Sequence, residues 1–216
     1  MTTGERAEMG DETRDEPDGA AAAEFLADVA RARASTIVTF GDDPRVASLV
    51  RGLGAASRII GDAGAAGAAM YLVGNGGSAA IASHQAVDFT KNGGLRALAF
   101  NDPAFLTCFA NDHGYENVFA EPLARFAKAG DVLVAISSSG ASKSILNAVA
   151  VARAAGCRVL GFSGFAPANP LRAVGDVNFY VPSSSYGVVE VTHLALVHSL
   201  AEARRLRVLA QRGDAK

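Results

Sequence analysis

The chain has 216 residues, half of them apolar and 19% charged, a composition that supports a sizeable core and excludes wholesale disorder. With 20 basic against 22 acidic residues the formal net charge is −2, which provides no global basic field for nucleic acid or an anionic membrane. No run approaches the about 20 apolar residues of a membrane span, and the two cysteines, Cys108 and Cys157, make neither a disulfide framework nor a CxxC zinc site.

Residues 1–19 are acidic and nearly free of large apolar groups. They read as a disordered leader and lack the apolar segment of a secretory signal, which points to a cytoplasmic protein. The pattern from Ala20 to Arg33 predicts a helix. Asp43 and Pro44 suit the N-cap and first position of a second helix, running through an Ala/Gly-rich stretch toward Gly67. Small residues let such helices approach closely as an antiparallel hairpin. They also expose enough small apolar surface to predict association into a dimer or tetramer.

From Ala69 onward, short apolar runs (69–74, 95–100, 131–137, 157–163 and 177–182) alternate with helical patterns near 79–91, 103–110, 115–128, 142–155 and 187–206. Continuous apolar runs mark strands covered on both faces. The alternation predicts an α/β fold, a doubly wound parallel five-stranded sheet flanked by helices, flavodoxin-like, with the N-terminal helical hairpin added. The expected organisation is one domain over 20–208 and a flexible tail over 209–216.

In such sheets ligands bind at the carboxyl ends of strands, where loops enter helix N-termini. Two loops have the composition for this. The first is Gly74-Asn75-Gly76-Gly77-Ser78; the second is Ser137-Ser138-Ser139-Gly140-Ala141-Ser142. Glycines admit a ligand close to backbone N–H groups, the helix dipole favours an anion, and serine hydroxyls add donors, so the pair reads as a phosphate cradle. The first loop also fits the dinucleotide fingerprint G-x-G-x-x-A through Gly74, Gly76 and Ala79, with Asp102 further on. That reading, a nucleotide-dependent oxidoreductase, leaves the serine loop unexplained. The triphosphate P-loop and the G-x-S-x-G elbow are both absent.

His84 and Asp88 lie four apart on the helix after the first loop and share a face. Glu190, His193 and His198 lie on the last helix. Two histidines and two carboxylates suit a divalent metal or an acid–base pair. Ideal helix geometry sets Glu190 and His193 roughly 60° apart, but Glu190 and His198 about 12 Å apart along the axis, so local geometry favours Glu190 with His193.

The segments GNGGSAAIASH, ANDHGYENVF, GDVLVAISSSGASKS and VEVTHLALVH, in this order, resemble the sedoheptulose-7-phosphate (phosphoheptose) isomerases of the sugar-isomerase, or SIS, domain class. The resemblance runs from about Ala20 to Arg205. It implies a phosphate cradle at Ser78, Ser137, Ser138, Ser139 and Ser142, and contacts from Asn75 to the sugar phosphate and from Asp112 to a substrate hydroxyl. It places the family's zinc-binding, catalytic His-x-x-x-Glu on His84 and Asp88, and its Gln and His of the last helix on Glu190 and His198; no role is assigned to His193. Asp88 is one methylene shorter than the usual Glu, Glu190 replaces a usual Gln, and a further acid falls on Gly187 and is missing. The implied activity converts sedoheptulose 7-phosphate to a heptose 7-phosphate through an enediol, an aldose–ketose isomerisation of carbohydrate metabolism. Asp88 and His198 would be the proton-transfer groups, Zn2+ would be held by His84, Asp88, Glu190 and His198, and the assembly would be a homotetramer with sites at subunit interfaces. The rival within the class is a non-catalytic protein that binds sugar phosphates or regulates DNA replication.

Overall fold

The computed structural model describes residues 12–41 and 43–213. The chain begins in α1 (Glu12–Ala34), passes through β1 (Ile37–Phe40) and β2 (Asp43–Ala47), and continues in α2 (Leu49–Ala65). It then alternates β3 (Ala69–Val73), α3 (Gly77–Lys91), β4 (Arg96–Ala99), α4 (Pro103–His113), α5 (Ala120–Phe126), β5 (Val132–Ser137), α6 (Lys143–Ala154), β6 (Arg158–Ser163), β7 (Val177–Tyr180) and α7 (Tyr186–Arg212). The sheet order is β2-β1-β7-β6-β5-β3-β4. Strands β3 to β7 pair in parallel, the five expected from the apolar runs.

Two further strands enlarge that sheet. Ile37-Val38-Thr39-Phe40, rich in β-branched and aromatic groups, pairs antiparallel with β7, setting Val38 opposite Phe179. Asp43 and Pro44 therefore stand in edge strand β2, where a proline is tolerated, and do not start a helix. The Asp43 carboxylate accepts from Arg45 Nε at 2.8 Å, and this pairing lowers its pKa to about 2. Helix α2 begins at Leu49 instead, capped by Ser48, whose Oγ accepts the Arg51 N–H at 3.2 Å. The β1–β2 hairpin thus separates the two N-terminal helices, and both pack against α7.

Helix α1 starts at Glu12 and runs through Pro17, inside the stretch read as a leader. Helix α7 carries on to Arg212, into the expected tail. Residues 1–11 and 214–216, the remainder of leader and tail, lie outside the described residues.

Alternate residues of each central strand face opposite layers. Met70, Leu72, Val132, Val134 and Ile136 join residues of α2, α3 and α7 on one face. Tyr71, Val73, Leu133 and Ala135 join residues of α5 and α6 on the other. Phe162 stacks on Phe179 with centroids 4.9 Å apart, and each such fully buried side chain contributes about 1.5–3 kcal/mol of transfer free energy. Strand β4 departs from the both-faces-covered expectation: it is an edge, and Leu98 stays exposed.

The placement of β3 sets up the site. It lies between β4 and β5, so the chain first moves to one edge and then returns across β3. The loops leaving β3 and β5 therefore part company side by side, which is where open α/β sheets bind ligands. Among the described residues no helix is long and apolar enough to cross a membrane.

Candidate active site

A cavity of about 230 Å³ opens at this point between the two loops and the start of α7. Its wall contains Asn75, Gly76, Gly77 and Ser78 from the first loop, Ser137, Ser138, Ser139 and Ser142 from the second, and Tyr186 and Glu190 from α7. Three helix N-termini thus meet at one cavity, and none of the three has a side-chain cap. Helices α2 and α4, which begin elsewhere, are capped by Ser48 and Asp102. Uncapped first-turn N–H groups and converging dipoles are the chemistry that suits an anion.

Hydroxyls complete it. Ser137 Oγ lies 3.3 Å from Ser142 Oγ and accepts the Gly140 N–H at 3.1 Å, while Ser139 Oγ accepts the Ala141 N–H at 3.2 Å. Ser138 Oγ is buried without a hydrogen-bond partner. Gly140 has φ +62°, and a side chain there would strike Asn169, so the second loop depends on glycine at this turn. Asn75 holds the loops together: its Nδ2 donates to Ser144 Oγ at 2.9 Å and its Oδ1 accepts from Tyr115 OH at 2.9 Å. Its side chain is therefore anchored at both ends.

Glu190 reaches into the same cavity from the first turns of α7. A Cβ on Gly77 would overlap the Glu190 carboxylate, so the absent side chain makes the space that the acid fills. Gly77 and Glu190 also wall a second, largely apolar cleft between α3 and α7 whose lining includes His84. One carboxylate thus borders both the anion cavity and the histidine-bearing cleft.

Further along these helices the structure brings His84, Asp88 and His198 together. His84 Nε2 lies 3.4 Å and His198 Nδ1 3.3 Å from Asp88 Oδ2. The imidazoles are nearly parallel, with 5° between planes and centroids 5.9 Å apart. They are about half exposed at 57% and 52%, whereas Asp88 is only 18% exposed. Asp88 Oδ2 is buried and accepts no well-aligned hydrogen bond. The amide Nε2 of Gln85 sits 3.0 Å from His198 Nδ1. His198 Nδ1 thus lies within reach of both this amide and the buried, unpartnered Asp88 Oδ2. A cation beside Asp88 would satisfy that orphaned oxygen. For a tetrahedral ion with nitrogen and oxygen ligands at about 2.0–2.1 Å, neighbouring ligands stand about 3.3–3.4 Å apart, the separations found at Asp88. The donor set fits a divalent metal. Glu190 stands outside this group, although the resemblance placed it among the ligands.

Other expected residues go elsewhere. His193 turns away from Glu190 into the core, against the preference drawn from local helix geometry. It is fully buried, its Nε2 hydrogen-bonds the Ser163 carbonyl at 3.1 Å, its Nδ1 is unpartnered, and burial pushes its pKa down to about 4. Asp112 lies exposed in the last turn of α4, where Oδ1 accepts from Asn111 Nδ2 at 2.7 Å, and it does not line the cavity within one chain. Asp102, the acid of the dinucleotide reading, instead caps α4 by accepting the Ala104 and Phe105 N–H groups at 2.9 and 3.3 Å. Gln85, Tyr115, Ser144 and Tyr186 belong to the site and escaped the sequence reading. Tyr115 lay inside the quoted Asn-Asp-His-Gly-Tyr segment and Gln85 directly follows His84, but nothing in their spacing marked either.

Comparison with known proteins identifies what the chain is similar to. A family model described as the SIS domain matches residues 45–164. The phosphoheptose isomerase of Aliarcobacter butzleri is 33% identical over 129 residues, which is 57% of this chain and 68% of that protein. Those of Geotalea daltonii and Streptomyces coelicolor are 35% and 42% identical over 55% and 47% of this chain, and the matches span 62% and 44% of those proteins. Among solved structures, a phosphoheptose isomerase from Neisseria gonorrhoeae has a TM-score of 0.75 at 27% identity, covering 88% of this chain and 97% of that one.

Proposed function

Because the chain belongs to the SIS domain family, in its phosphoheptose isomerase branch, we propose that it interconverts sedoheptulose 7-phosphate and a heptose 7-phosphate. The observation that carries this reading is the shared wall. Three uncapped helix N-termini and five serines frame an anion cavity, and Gly77 and Glu190 join it to the cleft that holds His84. A sugar phosphate has the matching polarity, with its dianion at one end and the reacting carbonyl at the other.

Isomerisation moves a proton between C1 and C2 through an enediol, so it needs a base, an acid and stabilisation of charge on oxygen. The N–H groups of α3, α6 and α7 and the hydroxyls of Ser78, Ser137, Ser138, Ser139 and Ser142 hold the phosphate. Gly76 and Gly77 let it approach the backbone, and Asn75, pinned by Ser144 and Tyr115, keeps the two loops in register. This fixes the carbon chain and supplies orientation. Asp88 and His198 are the proton-transfer pair, and Glu190 takes substrate hydroxyls along the shared wall. Asp112 would meet substrate only from a neighbouring subunit.

A zinc ion held by His84, Asp88 and His198 would polarise the substrate oxygens. The reading includes a homotetramer, and exposed Val87, Leu98 and Val191 beside the two apolar clefts offer it a surface. Two free thiols, Cys108 exposed and Cys157 buried, suit the reducing cytoplasm. The functional unit we assign is the stretch from residue 20 to 208. The test is conversion of sedoheptulose 7-phosphate by the full chain, with loss in Asp88→Ala and His198→Ala. Unaltered turnover in both variants would remove their roles, and no turnover by the wild type would remove the activity.

A further inference from the structure

Among the described residues, Phe165 is the one non-glycine whose φ is positive, at +56°. A bulky side chain disfavours this left-handed conformation, which persists only where the surroundings over-determine it. Here they do. The Phe165 N–H donates to the Ser183 carbonyl at 2.9 Å, and the Phe165 carbonyl accepts from Tyr180 OH at 2.8 Å. The preceding Gly164 N–H donates to the Ser138 carbonyl at 2.9 Å, and the buried Asn169 donates through Nδ2 to the carbonyls of Gly164 and Ala166 at 3.0 and 2.9 Å. The turn after β6 is thus fastened to the serine loop on one side and to the approach to α7 on the other. It delivers one contact to the site: the Phe165 and Tyr186 rings meet edge to face, with centroids 4.7 Å apart and planes 82° apart. We propose that the Tyr186 ring closes the anion cavity over a bound phosphoryl group, and that Phe165 is the positioning residue that holds it there. The inference rests on the sugar-phosphate reading above and deepens it.

Tyr186 opens α7 and lines the cavity, yet it is 63% exposed. A ring so free at a helix start has more than one staggered rotamer open to it. The edge-to-face partner favours one of them, the one that stands at the cavity wall. A ring held there keeps water off the bound anion, and every contact from the helix N–H groups and the serine hydroxyls is stronger for the lower local dielectric. The glycines and serines of the two loops are too small to give such cover, and Glu190 carries charge of the anion's own sign. The same turn fixes cover and cradle at one separation. Gly164 sits so tightly between them that a Cβ there would stand 2.8 Å from a Val189 methyl of α7 and 3.1 Å from the Ser138 carbonyl oxygen.

The test is a double-mutant cycle on the full-length protein, read as the dissociation constant for inorganic phosphate and as KM and kcat for sedoheptulose 7-phosphate. Phe165→Gly removes the ring and takes the left-handed turn without cost. It should weaken phosphate binding about fivefold, the fold-change that one edge-to-face aromatic pair corresponds to. KM should rise by the same factor, with kcat held within about twofold, because the lost interaction is one of binding. Tyr186→Ala should weaken phosphate binding at least as far. Adding Phe165→Gly to Tyr186→Ala should then change nothing further, because the ring that Phe165 holds is gone. Phe165→Leu, which keeps apolar bulk without the aromatic edge, makes the same comparison if the glycine variant folds poorly. A structural role for Phe165 would instead give losses that add in the double variant, and that result would overturn the inference, as would wild-type phosphate binding in Tyr186→Ala. A wild type that binds phosphate but leaves the sugar unconverted would overturn the isomerase reading and leave the phosphate cycle to decide this one. Failure of the wild type to bind phosphate would overturn both.

Discussion

Gly77 and Glu190 are complementary shapes: the bare Cα of the one faces the carboxylate of the other so closely that a single methyl group would displace it. Gly77→Ala should therefore push the acid off the shared wall while leaving the fold intact. We expect kcat/KM for sedoheptulose 7-phosphate to fall about 10²-fold, the scale of a displaced catalytic geometry, with the melting temperature little changed. Steady-state kinetics beside a thermal melt reads both; full activity in Gly77→Ala would mean that Glu190 is not needed where it stands.

Ser138 Oγ is buried at the cavity without a partner. An idle hydroxyl in the free protein that serves a bound phosphate has an unusual signature on removal. Ser138→Ala should raise KM about tenfold, the worth of one hydrogen bond to a charged group, without lowering the melting temperature of the free protein. A lower melting temperature with unchanged KM would make the hydroxyl structural.

His193 predicts a pH dependence. Its folded-state pKa is depressed to about 4 from 6.5, so between these values the unfolded chain binds the extra proton. Its contribution is intact above pH 6.5 and is lost as pH falls toward 4, by roughly 3 kcal/mol in all at 1.36 kcal/mol per unit. Urea unfolding at pH 7 and pH 5 should reveal a steeper loss in wild type than in His193→Leu. Parallel pH profiles would refute the assignment.

Asp102 caps α4 with two backbone hydrogen bonds. Asp102→Ala should cost about 1 kcal/mol of stability and leave turnover unchanged. NAD(P) should shift the melting temperature of neither protein. A clear shift by NAD(P), abolished in the variant, would revive the dinucleotide reading.

The parallel strands were legible because both-face burial writes continuous apolar runs, as at Met70–Val73 and Leu133–Ile136. The serine and glycine loops were legible because few roles other than anion binding use that composition at a strand-to-helix turn. The β1–β2 hairpin was not. Its four-residue strand is short, and Asp-Pro is as good a helix opening as a strand entry until β7 supplies a pairing partner. Gln85 was equally silent, since a polar residue on a helix reads as solvated until α7 closes over it. Glu190 and His193 look like neighbours on one helix face, yet core burial claims the imidazole and the cavity claims the acid. Tertiary packing, which no local spacing encodes, decided between them.

Helix α7 works like a camshaft. Over 27 residues it presents Tyr186 and Glu190 to the cavity, His193 to the core and His198 to Asp88, and then Arg204 Nε donates to the Gly93 carbonyl at 2.9 Å beyond the end of α3. These stations are phased by helical pitch alone. One residue inserted between Glu190 and His198 would swing everything downstream by about 100°, parting His198 from Asp88 while leaving Glu190 at the cavity.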